Sequence, residues 1–261
     1  MRAKRMRMLA MEADTATLIR RAATCCKLSI NEARHGFGFY NRQLHRSTCA
    51  RPCTPVQVTN RLPEFKLTKV AEADFPSRFG QFRIFGFQGL KGSETEEAIA
   101  LKMGDLSPAL GPALVRIHSQ CLTGDVFHSL RCDCRSQLEL ALDQIVAEGR
   151  GLLIYEHQEG RGIGLLNKLR AYELQDQGLD TVEANESLGF EADLRDYALP
   201  AAILQHFGIR EVRLLSNNPE KVAALERAGV AVVERAPIIA PPLATTAEYL
   251  RTKREKLGHL F

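Results

Sequence analysis

Hydrophobic and polar positions change their periodicity part-way along the chain. In the opening part, apolar residues fall in short runs rich in Phe, Val, Ile and Leu, at residues 65–70, 82–85, 98–101 and 113–117. Runs of this length and composition are typical of β-strands. From Ser136 onward, Leu138, Leu142, Ile145 and Val146 recur at helical spacing until Gly149. The pattern therefore predicts mostly strands first and an amphipathic helix from residue 136.

Strand and helix patterns alternate in the rest of the chain. Strands are predicted at residues 151–155, 211–215 and 230–233, and helices at 163–177, at 199–207 and after Pro219. Gly178 is a typical helix stop, and Pro219 suits a first helical turn because its missing N–H costs little there. The alternation predicts an α/β fold with a mixed sheet flanked by helices.

Composition divides the chain near residue 60. The chain has 261 residues, of which 45% are hydrophobic, and charged residues interrupt each apolar run before it reaches the eighteen or so residues of a membrane span. Residues 1–60 carry eleven Lys and Arg against three Asp and Glu. We expect a basic, disordered extension over 1–62, resembling either an organellar presequence or a misassigned start, and a cytoplasmic catalytic domain over 63–261.

The main chemical signal is a group of three cysteines. Ten residues separate Cys121 from the Cys132-Asp133-Cys134 pair. Three cysteines cannot all form disulfides, and without a secretory signal they favour reduced thiols. Three thiolates are typical of a zinc site that keeps one position for water. The alternatives are buried free cysteines, or a structural site whose fourth ligand is His118 or His128.

Two loops between a strand and a helix are candidate phosphate sites. Residues 159–164, Glu-Gly-Arg-Gly-Ile-Gly, precede a predicted helix whose N-terminal N–H groups can receive a phosphate, although a simple tight turn explains the glycines equally well. Residues 216–221, Ser-Asn-Asn-Pro-Glu-Lys, repeat this arrangement. Asn218 is a plausible helix cap, whereas Lys221 in a first turn is electrostatically unfavourable unless an anion lies nearby.

Several ordered motifs resemble GTP cyclohydrolase II. They include Arg116-Ile-His-Ser-Gln-Cys-Leu-Thr-Gly-Asp125, Ser129-Leu-Arg-Cys-Asp-Cys134, Tyr155-Glu-His-Gln-Glu-Gly-Arg161, Leu165-Leu-Asn-Lys-Leu-Arg-Ala-Tyr172 and Leu214-Leu-Ser-Asn-Asn-Pro219. The resemblance extends over about residues 66–261. It implies a homodimer that uses Zn²⁺ and Mg²⁺ to release formate and pyrophosphate from GTP in riboflavin biosynthesis. The family's frequent fusion partner, dihydroxybutanone phosphate synthase, is not expected, because 60 N-terminal residues cannot hold it.

The resemblance also implies roles for individual residues. The metal ligands would be Cys121, Cys132 and Cys134, and the catalytic residues Asp193, Arg195 and Tyr172. The GTP-binding residues would be Arg116, Ile117, His118, Ser119, Gln120, Gln137, Glu159, Gly160, Arg161, Thr181, Ser216 and Lys221.

The resemblance leaves alternatives for three of these residues. In the family, Asp193 accepts a proton and Arg195 forms a guanylyl adduct, although a guanidinium is better suited to clamping phosphate charge. Tyr172 would orient the hydrolytic water, or else be a core aromatic. Glu159 is expected to accept guanine N1–H and the exocyclic amine.

Two departures from the family pattern leave an alternative open. Gln120 stands where Glu is usual and Ser216 where Thr is usual. Loss of a carboxylate beside a zinc ligand can weaken the metal site, so a GTP-binding regulatory paralogue without full turnover is the second hypothesis. A zinc deaminase is disfavoured because its His-x-Glu and Pro-Cys-x-x-Cys motifs are missing. Neither a nucleic-acid partner nor a membrane partner is expected.

Overall fold

Seven strands form one mixed sheet in the part of the chain that the computed structural model describes, residues 65–241 and 244–260. The strands are β1 (Phe65–Pro76), β2 (Gln81–Lys91), β3 (Glu94–Met103), β4 (Ala113–Ser119), β5 (Gly151–Glu156), β6 (Glu211–Leu215) and β7 (Ala231–Ala236). The predicted basic extension over 1–62 and its boundary with the domain lie outside the described residues.

The helices of the described residues are α1 (Leu122–Asp125), α2 (Cys134–Glu148), α3 (Leu165–Asp176), α4 (Thr181–Ser187), α5 (Ala198–His206), α6 (Pro219–Arg227) and α7 (Ala247–Leu257). Short 3-10 turns occur at Pro108–Leu110, Glu159–Gly162 and Ala244–Thr246. None of the described helices has the length and apolar character needed to span a membrane.

The sheet order β1-β2-β3-β5-β4-β6-β7 joins an antiparallel half to a parallel half. Pairs β1–β2, β2–β3 and β3–β5 are antiparallel, whereas β5–β4, β4–β6 and β6–β7 are parallel. The predicted mixed α/β sheet is therefore confirmed. The chain passes from β4 to β5 on one side and later returns to β6 on the other. Ligands of open α/β sheets bind at such a switch point, outside the carboxyl ends of the strands.

The core lies on both faces of the central strands, because parallel strands covered by helices are buried on each side. On one face, Leu114 and Leu153 pack with Ile145 of α2. On the other face, Ile154 packs in one cluster with Ile203 of α5. This core fixes the positions of the ends of β4, β5 and β6, where the loops that carry the cysteines and glycines begin.

Most predicted elements occur within a few residues of the expected bounds. Helix α2 ends where Gly149 adopts a left-handed C-cap with φ 73°, and Asn218 caps α6 by accepting a hydrogen bond from the Glu220 amide at 3.0 Å. Strand β1 is twice as long as its apolar run because its backbone pairs with β2 as far as Pro76, although its side chains there are exposed. The pattern missed α1, α4 and α7.

Candidate active site

A cleft opens at the carboxyl ends of β4, β5 and β6 and brings the two predicted loops together with the cysteines. Most of the predicted site residues line this cleft: Arg116, His118, Ser119, Gln120, Cys121, Cys132, Cys134, Gln137, Glu159, Gly160, Arg161, Tyr172, Thr181, Arg195, Ser216 and Lys221. The side chain of Ile117 instead lies in the core, so only its backbone can contribute. Asp193 reaches the cleft through its ion pair with Arg195.

The three cysteines converge at one end of this cleft. Their sulfur atoms all lie within 4.8 Å of one another, and Cys121 Sγ is 3.7 Å from Cys132 Sγ. Hydrogen bonds from the Cys132 and Cys134 thiols, together with the charge of Lys168, hold the pKa of Cys121 far below its usual range. The hydrogen bond with Cys121 raises the pKa of Cys132 to about 11. Cys121 is thus the thiol of the cluster that loses its proton most readily.

Neither histidine considered as a fourth ligand belongs to this cluster. Among the described residues, the only group of His, Cys, Asp and Glu side chains close enough to hold a metal consists of the three cysteines. The His118 ring is buried, stacks on Tyr155 and has Nε2 3.2 Å from both oxygens of Asp125. Asp125 also accepts a hydrogen bond from the Cys121 amide at 3.0 Å. His118 therefore supports the loop that carries Cys121 and is not a ligand.

Gly124 is required by the approach of the three cysteines. A Cβ atom at this position would lie 2.9 Å from Cys132 Sγ, 3.1 Å from Cys121 Sγ and 3.3 Å from Cys134 Cβ. Real Cβ atoms essentially never come within 3.0 Å of such neighbours, so a side chain would push the sulfurs apart. The glycine of the Cys-Leu-Thr-Gly-Asp sequence thus has a packing role that the spacing of the cysteines alone did not reveal.

Lys168, on α3, connects the thiols to Glu159. Its Nζ lies 3.2 Å from Cys121 Sγ and 2.7 Å from Glu159 Oε1. Glu159 is buried, and it also accepts hydrogen bonds from the amides of Leu122 (2.7 Å) and Gly160 (3.0 Å). Burial alone would lower the pKa of Lys168, but the charge of Cys121 and the hydrogen bond to Glu159 raise it. The lysine is therefore held as a cation beside the sulfur.

Tyr172 lies at the edge of the thiol cluster and not in the core. Its hydroxyl is 3.0 Å from Thr123 Oγ1, which is itself 3.8 Å from Cys121 Sγ. The ring is half-buried, lines the cleft and lies under the guanidinium of Arg131, 4.7 Å from the ring centroid. Burial raises the pKa of the Tyr172 hydroxyl, so it stays protonated and can donate at neutral pH.

Basic side chains gather in the same cleft. Arg161 is in the left-handed region with φ 63°, and its Nη1 is buried without a hydrogen bond to any described residue. Arg195 Nη1 lies 3.3 Å from Ser119 Oγ, and Lys221 Nζ donates to the carbonyl of Ile117 at 2.8 Å. Burial, aided by Arg116 and Arg195, depresses the pKa of Lys221 well below its usual value. Such a cluster favours an anionic ligand.

The loop after β6 is ordered by its own amides. Asn217 makes two hydrogen bonds to Ile238, from Nδ2 to the carbonyl at 2.6 Å and from the Ile238 amide to Oδ1 at 3.0 Å. The Asn218 amide donates to Ser216 Oγ at 3.1 Å. The capping role predicted for Asn218 is confirmed, and the two asparagines hold Ser216 and Lys221 against the cleft.

Sequence reasoning missed several residues that line the cleft, above all Lys168, Tyr249, Lys253 and His259. Lys168 precedes Tyr172 by one helical turn, and this spacing on a single face was a usable signal. Tyr249, Lys253 and His259 belong to the C-terminal segment, for which no helix was predicted, so no pattern connected them with the cysteines.

Comparison with known proteins agrees with this arrangement. The family model described as GTP cyclohydrolase II matches residues 68–237, which include all three cysteines and both glycine- and asparagine-bearing loops. The chain belongs to the GTP cyclohydrolase II family. The family resemblance drawn from the motifs is therefore confirmed.

Individual relatives support the same assignment. GTP cyclohydrolase-2 of Proteus mirabilis is 55% identical over 195 residues, which cover 75% of this chain and 96% of the relative. The riboflavin biosynthesis protein RibBA of Bacillus cereus is 55% identical over 197 residues, but this chain spans only 49% of its length. Among solved structures, the alignment with RibBX, a 3,4-dihydroxy-2-butanone 4-phosphate synthase of A. baumannii, covers 67% of this chain and 40% of the RibBX chain. The sequence identity is 16% and the TM-score is 0.37.

Proposed function

We propose that this protein hydrolyses GTP to a diaminopyrimidine ribosyl 5′-phosphate with release of formate and pyrophosphate, the first step of riboflavin biosynthesis. The observation that carries the proposal is the combination of groups in one cleft. Three thiols line it together with the basic side chains of Arg161, Arg195 and Lys221, and Arg161 Nη1 is buried without a hydrogen bond to any described residue. A nucleoside triphosphate has matching parts, with a reactive base for the thiol cluster and phosphates for the basic side chains.

The thiol cluster fits a zinc ion. Three sulfur donors within 4.8 Å of one another, with Gly124 leaving room between them, are a donor set typical of Zn²⁺. Cys121, Cys132 and Cys134 would hold the ion, which supplies a water whose pKa is lowered from about 15.7 to about 7. Lys168 and Asp125 keep the Cys121 loop in place through their contacts with its sulfur and amide.

Tyr172 and Thr123 are in position to orient a water molecule beside the cluster. Their hydroxyls are 3.0 Å apart, and Thr123 Oγ1 lies near Cys121 Sγ. A hydroxyl pair that shares one hydrogen bond retains further donor and acceptor capacity for water or for the base. We assign Tyr172 the role of holding the hydrolytic water against the purine.

Glu159 has limited capacity for guanine. A carboxylate offers about four acceptor positions, and Lys168 with the amides of Leu122 and Gly160 uses three of them. One position, on Oε2, remains for a guanine N–H. Recognition of both N1–H and the exocyclic amine by Glu159 would require a protein donor to move, so the carboxylate accepts one of these two groups and also positions Lys168.

The phosphates are assigned to the basic side chains that line the cleft. Arg161, Arg195, Lys221 and Ser216 would bind them, and Mg²⁺ would accompany the triphosphate. Asp193 binds the guanidinium of Arg195 and holds it toward the cleft. We assign Arg195 to clamp phosphate charge, because a guanidinium paired with a carboxylate is protonated and cannot act as a nucleophile.

The remaining proposed GTP contacts belong to residues in and next to the same cleft. Arg116 is fixed by hydrogen bonds to Gln137 Oε1 and to the carbonyl of Leu215, both 2.8 Å. The others are Ile117 through its backbone, His118, Ser119, Gln120, Gly160 and Thr181. The homodimer and the cytoplasmic location predicted from the sequence stay predictions.

Incubation of the zinc-loaded protein with GTP and Mg²⁺ tests the proposal, with formate and pyrophosphate measured together. Both products should appear in equal amounts and disappear in Cys132→Ser, whereas Gly86→Ala, which places a methyl group in open space on β2, should retain activity. Binding of GTP without either product would contradict the proposal and favour a regulatory paralogue. Pyrophosphate without formate would show that the metal end fails, and would direct attention to Gln120 beside Cys121.

A further inference from the structure

The C-terminal helix α7 lies outside the segment that matches the family model, yet it forms part of the cleft wall. Tyr249 and Lys253 both line the cleft, and Lys253 follows Tyr249 by four positions, which places them on one face of the helix. Lys253 Nζ lies 4.3 Å from the centroid of the Tyr249 ring. This face of α7 is therefore directed at the cleft and not at solvent.

Lys253 forms a buried ion pair with the residue between two of the cysteines. Its Nζ is 2.8 Å from Asp133 Oδ1, and each of the two residues is only 7% exposed. Asp133 lies between Cys132 and Cys134, so the direction of its carboxylate is coupled to the backbone that carries both thiols. Tyr249 makes a second contact with the same loop, because its hydroxyl lies 4.0 Å from Cys134 Sγ.

The other carboxylate oxygen of Asp133 is fixed from the sheet side. Gln137 Nε2 donates to Oδ2 at 2.5 Å, and Arg116 Nη2 donates to Gln137 Oε1 at 2.8 Å. Gln137 is neutral, so it satisfies a lone pair without balancing the charge. Among the described residues, Lys253 is the cation in direct contact with Asp133. Removing it would leave a buried carboxylate uncompensated beside three thiols, which is strongly unfavourable.

We propose that Lys253 is a positioning residue for the Cys132-Asp133-Cys134 loop, and that docking of α7 and metal binding by the cysteines stabilise each other. The inference rests on the proposed metal role of the three cysteines. Without Lys253, Asp133 turns toward water and carries the backbone of both thiols with it. Coupling between two binding events is reciprocal. The free energy by which docked α7 increases metal affinity therefore equals the free energy by which the metal stabilises docked α7.

His259 and Leu260, which follow α7, connect this helix to the loop that carries Ser216 and Lys221. The His259 amide donates to the carbonyl of Lys253 at 3.0 Å, and the Leu260 amide donates to the carbonyl of Asn217 at 3.0 Å. The C-terminal segment is thus attached at one point to the loop of the cysteines and at another to the loop of Ser216 and Lys221. Metal binding by the cysteines is therefore expected to order the segment as far as its contact with Asn217.

The first experiment measures Zn²⁺ affinity by competition with a chromophoric chelator. Lys253→Met should bind Zn²⁺ about 10- to 100-fold more weakly, the usual effect of losing a partner of the ligand shell. Lys253→Arg, which keeps the charge and the donors, should recover most of the affinity. Glu255→Gln, an exposed position on the same helix, should match the wild type. In an Asp133→Asn background, Lys253→Met should cost much less than it does alone.

The central measurement of the second experiment uses the wild-type chain and does not depend on whether a variant folds, and Lys253→Met serves as its control. Addition of Zn²⁺ to the metal-free protein should slow hydrogen exchange of the α7 amides, and this protection should be absent in Lys253→Met. Wild-type Zn²⁺ affinity in Lys253→Met, an equal loss in the Asp133→Asn background, or unchanged α7 exchange would overturn the inference and leave the proposed metal site intact. Failure of the wild type to bind Zn²⁺ would instead reject the metal role itself, and the inference with it.

Discussion

Arg195 holds the carboxylate of Asp193 through two parallel hydrogen bonds: its Nε lies 2.8 Å from Oδ1, and its Nη2 donates to Oδ2. Burial alone would lower the pKa of Arg195, but the hydrogen bonds and charge of Asp193 outweigh it and raise the pKa further above its ordinary value. A guanidinium held in this way is a permanent cation with a fixed orientation. It is suited to charge stabilisation and not to covalent chemistry.

The clamp role predicts the behaviour of Arg195→Lys. Lysine keeps the positive charge but loses the two-point geometry, so kcat/KM for GTP should fall by about 10²- to 10³-fold, the usual result of losing one transition-state donor. Intact-protein mass spectrometry of the wild type quenched during turnover should show no guanylyl adduct. An adduct that maps to Arg195 would reject the clamp role.

The substitution Tyr172→Phe should lower kcat and leave KM for GTP nearly unchanged. The phenyl ring keeps the packing of α3 while the hydroxyl next to Thr123 is lost. We expect kcat to fall about 10²-fold or more, as for loss of a group that assists proton movement, with little change in KM or zinc content. Steady-state kinetics with metal analysis would check this. An unchanged kcat would show that Tyr172 is only a packing residue.

Gly124→Ala should impair the metal site without breaking the fold. The added methyl group would meet Cys132 Sγ at 2.9 Å and Cys121 Sγ at 3.1 Å. Zn²⁺ affinity, measured by chelator competition, should fall at least about tenfold because the sulfurs must separate. The same substitution at Gly86, where nothing lies within 4 Å, provides the matched control. Equal affinities in the two variants would show that the cluster has more room than its geometry indicates.

Glu159→Gln should affect both substrate use and stability. The amide cannot accept all three hydrogen bonds from Lys168, Leu122 and Gly160, so the free energy of unfolding should fall by about 2 kcal/mol, the scale of a charge-assisted hydrogen bond. KM for GTP should rise in parallel. Urea unfolding and kinetics on Glu159→Gln and on Glu173→Gln, an exposed position on α3, would test this. Loss of stability with unchanged KM would exclude Glu159 from base recognition.

The burial of His259 predicts that the protein loses stability in acid. Burial, reinforced by the charges of Lys253, Arg195, Arg161 and Lys221, lowers its pKa from 6.5 to about 3. At pH values between these two pKa values, His259 binds a proton in the unfolded chain and not in the folded chain. The free energy of unfolding therefore decreases as pH falls below about 6.5.

Urea unfolding of the metal-free protein at pH 7.0 and at about pH 5.5 measures this loss. His259→Gln should lose less stability than the wild type over the same interval. Burial lowers the pKa of His118 in the same direction, so a slope should remain in the variant. Identical slopes would show that His259 is solvated in the folded state.

The fold was predictable where local pattern and burial agree. Helix α2 shows helical apolar spacing closed by Gly149, and β6 occupies the predicted residues 211–215, because both elements bury one or both faces in the core. Strand β1 was only half predicted, because pairing with β2 and not burial sets its length. Helix α7 has few buried apolar positions and is held by polar contacts such as Lys253 with Asp133, which no periodicity records.

The site residues also fall into those that local sequence motifs predict and those that long-range contacts determine. The cysteines and the two loops were accessible from the sequence because each is a short motif at the end of an apolar strand. The assignment of Ile117 to the site stays a prediction and is confined to its backbone, since alternation along β4 places its side chain in the core and its carbonyl accepts a hydrogen bond from Lys221. Lys168 contacts Cys121, which lies 47 residues earlier in the chain, and Lys253 contacts Asp133, which lies 120 residues earlier. His259 lines the same cleft from the C-terminal segment. Only the folded structure brings these residues together.

Arg161 has a consequence for engineering. A residue with a side chain at φ 63° carries backbone strain on the order of 1 kcal/mol, which glycine would relieve. The same residue has a buried guanidinium nitrogen that no described residue satisfies, a second cost of the free protein. A selection for heat resistance alone would therefore favour glycine at position 161 and remove the proposed phosphate contact with it. Screens that stabilise this enzyme should keep that position fixed.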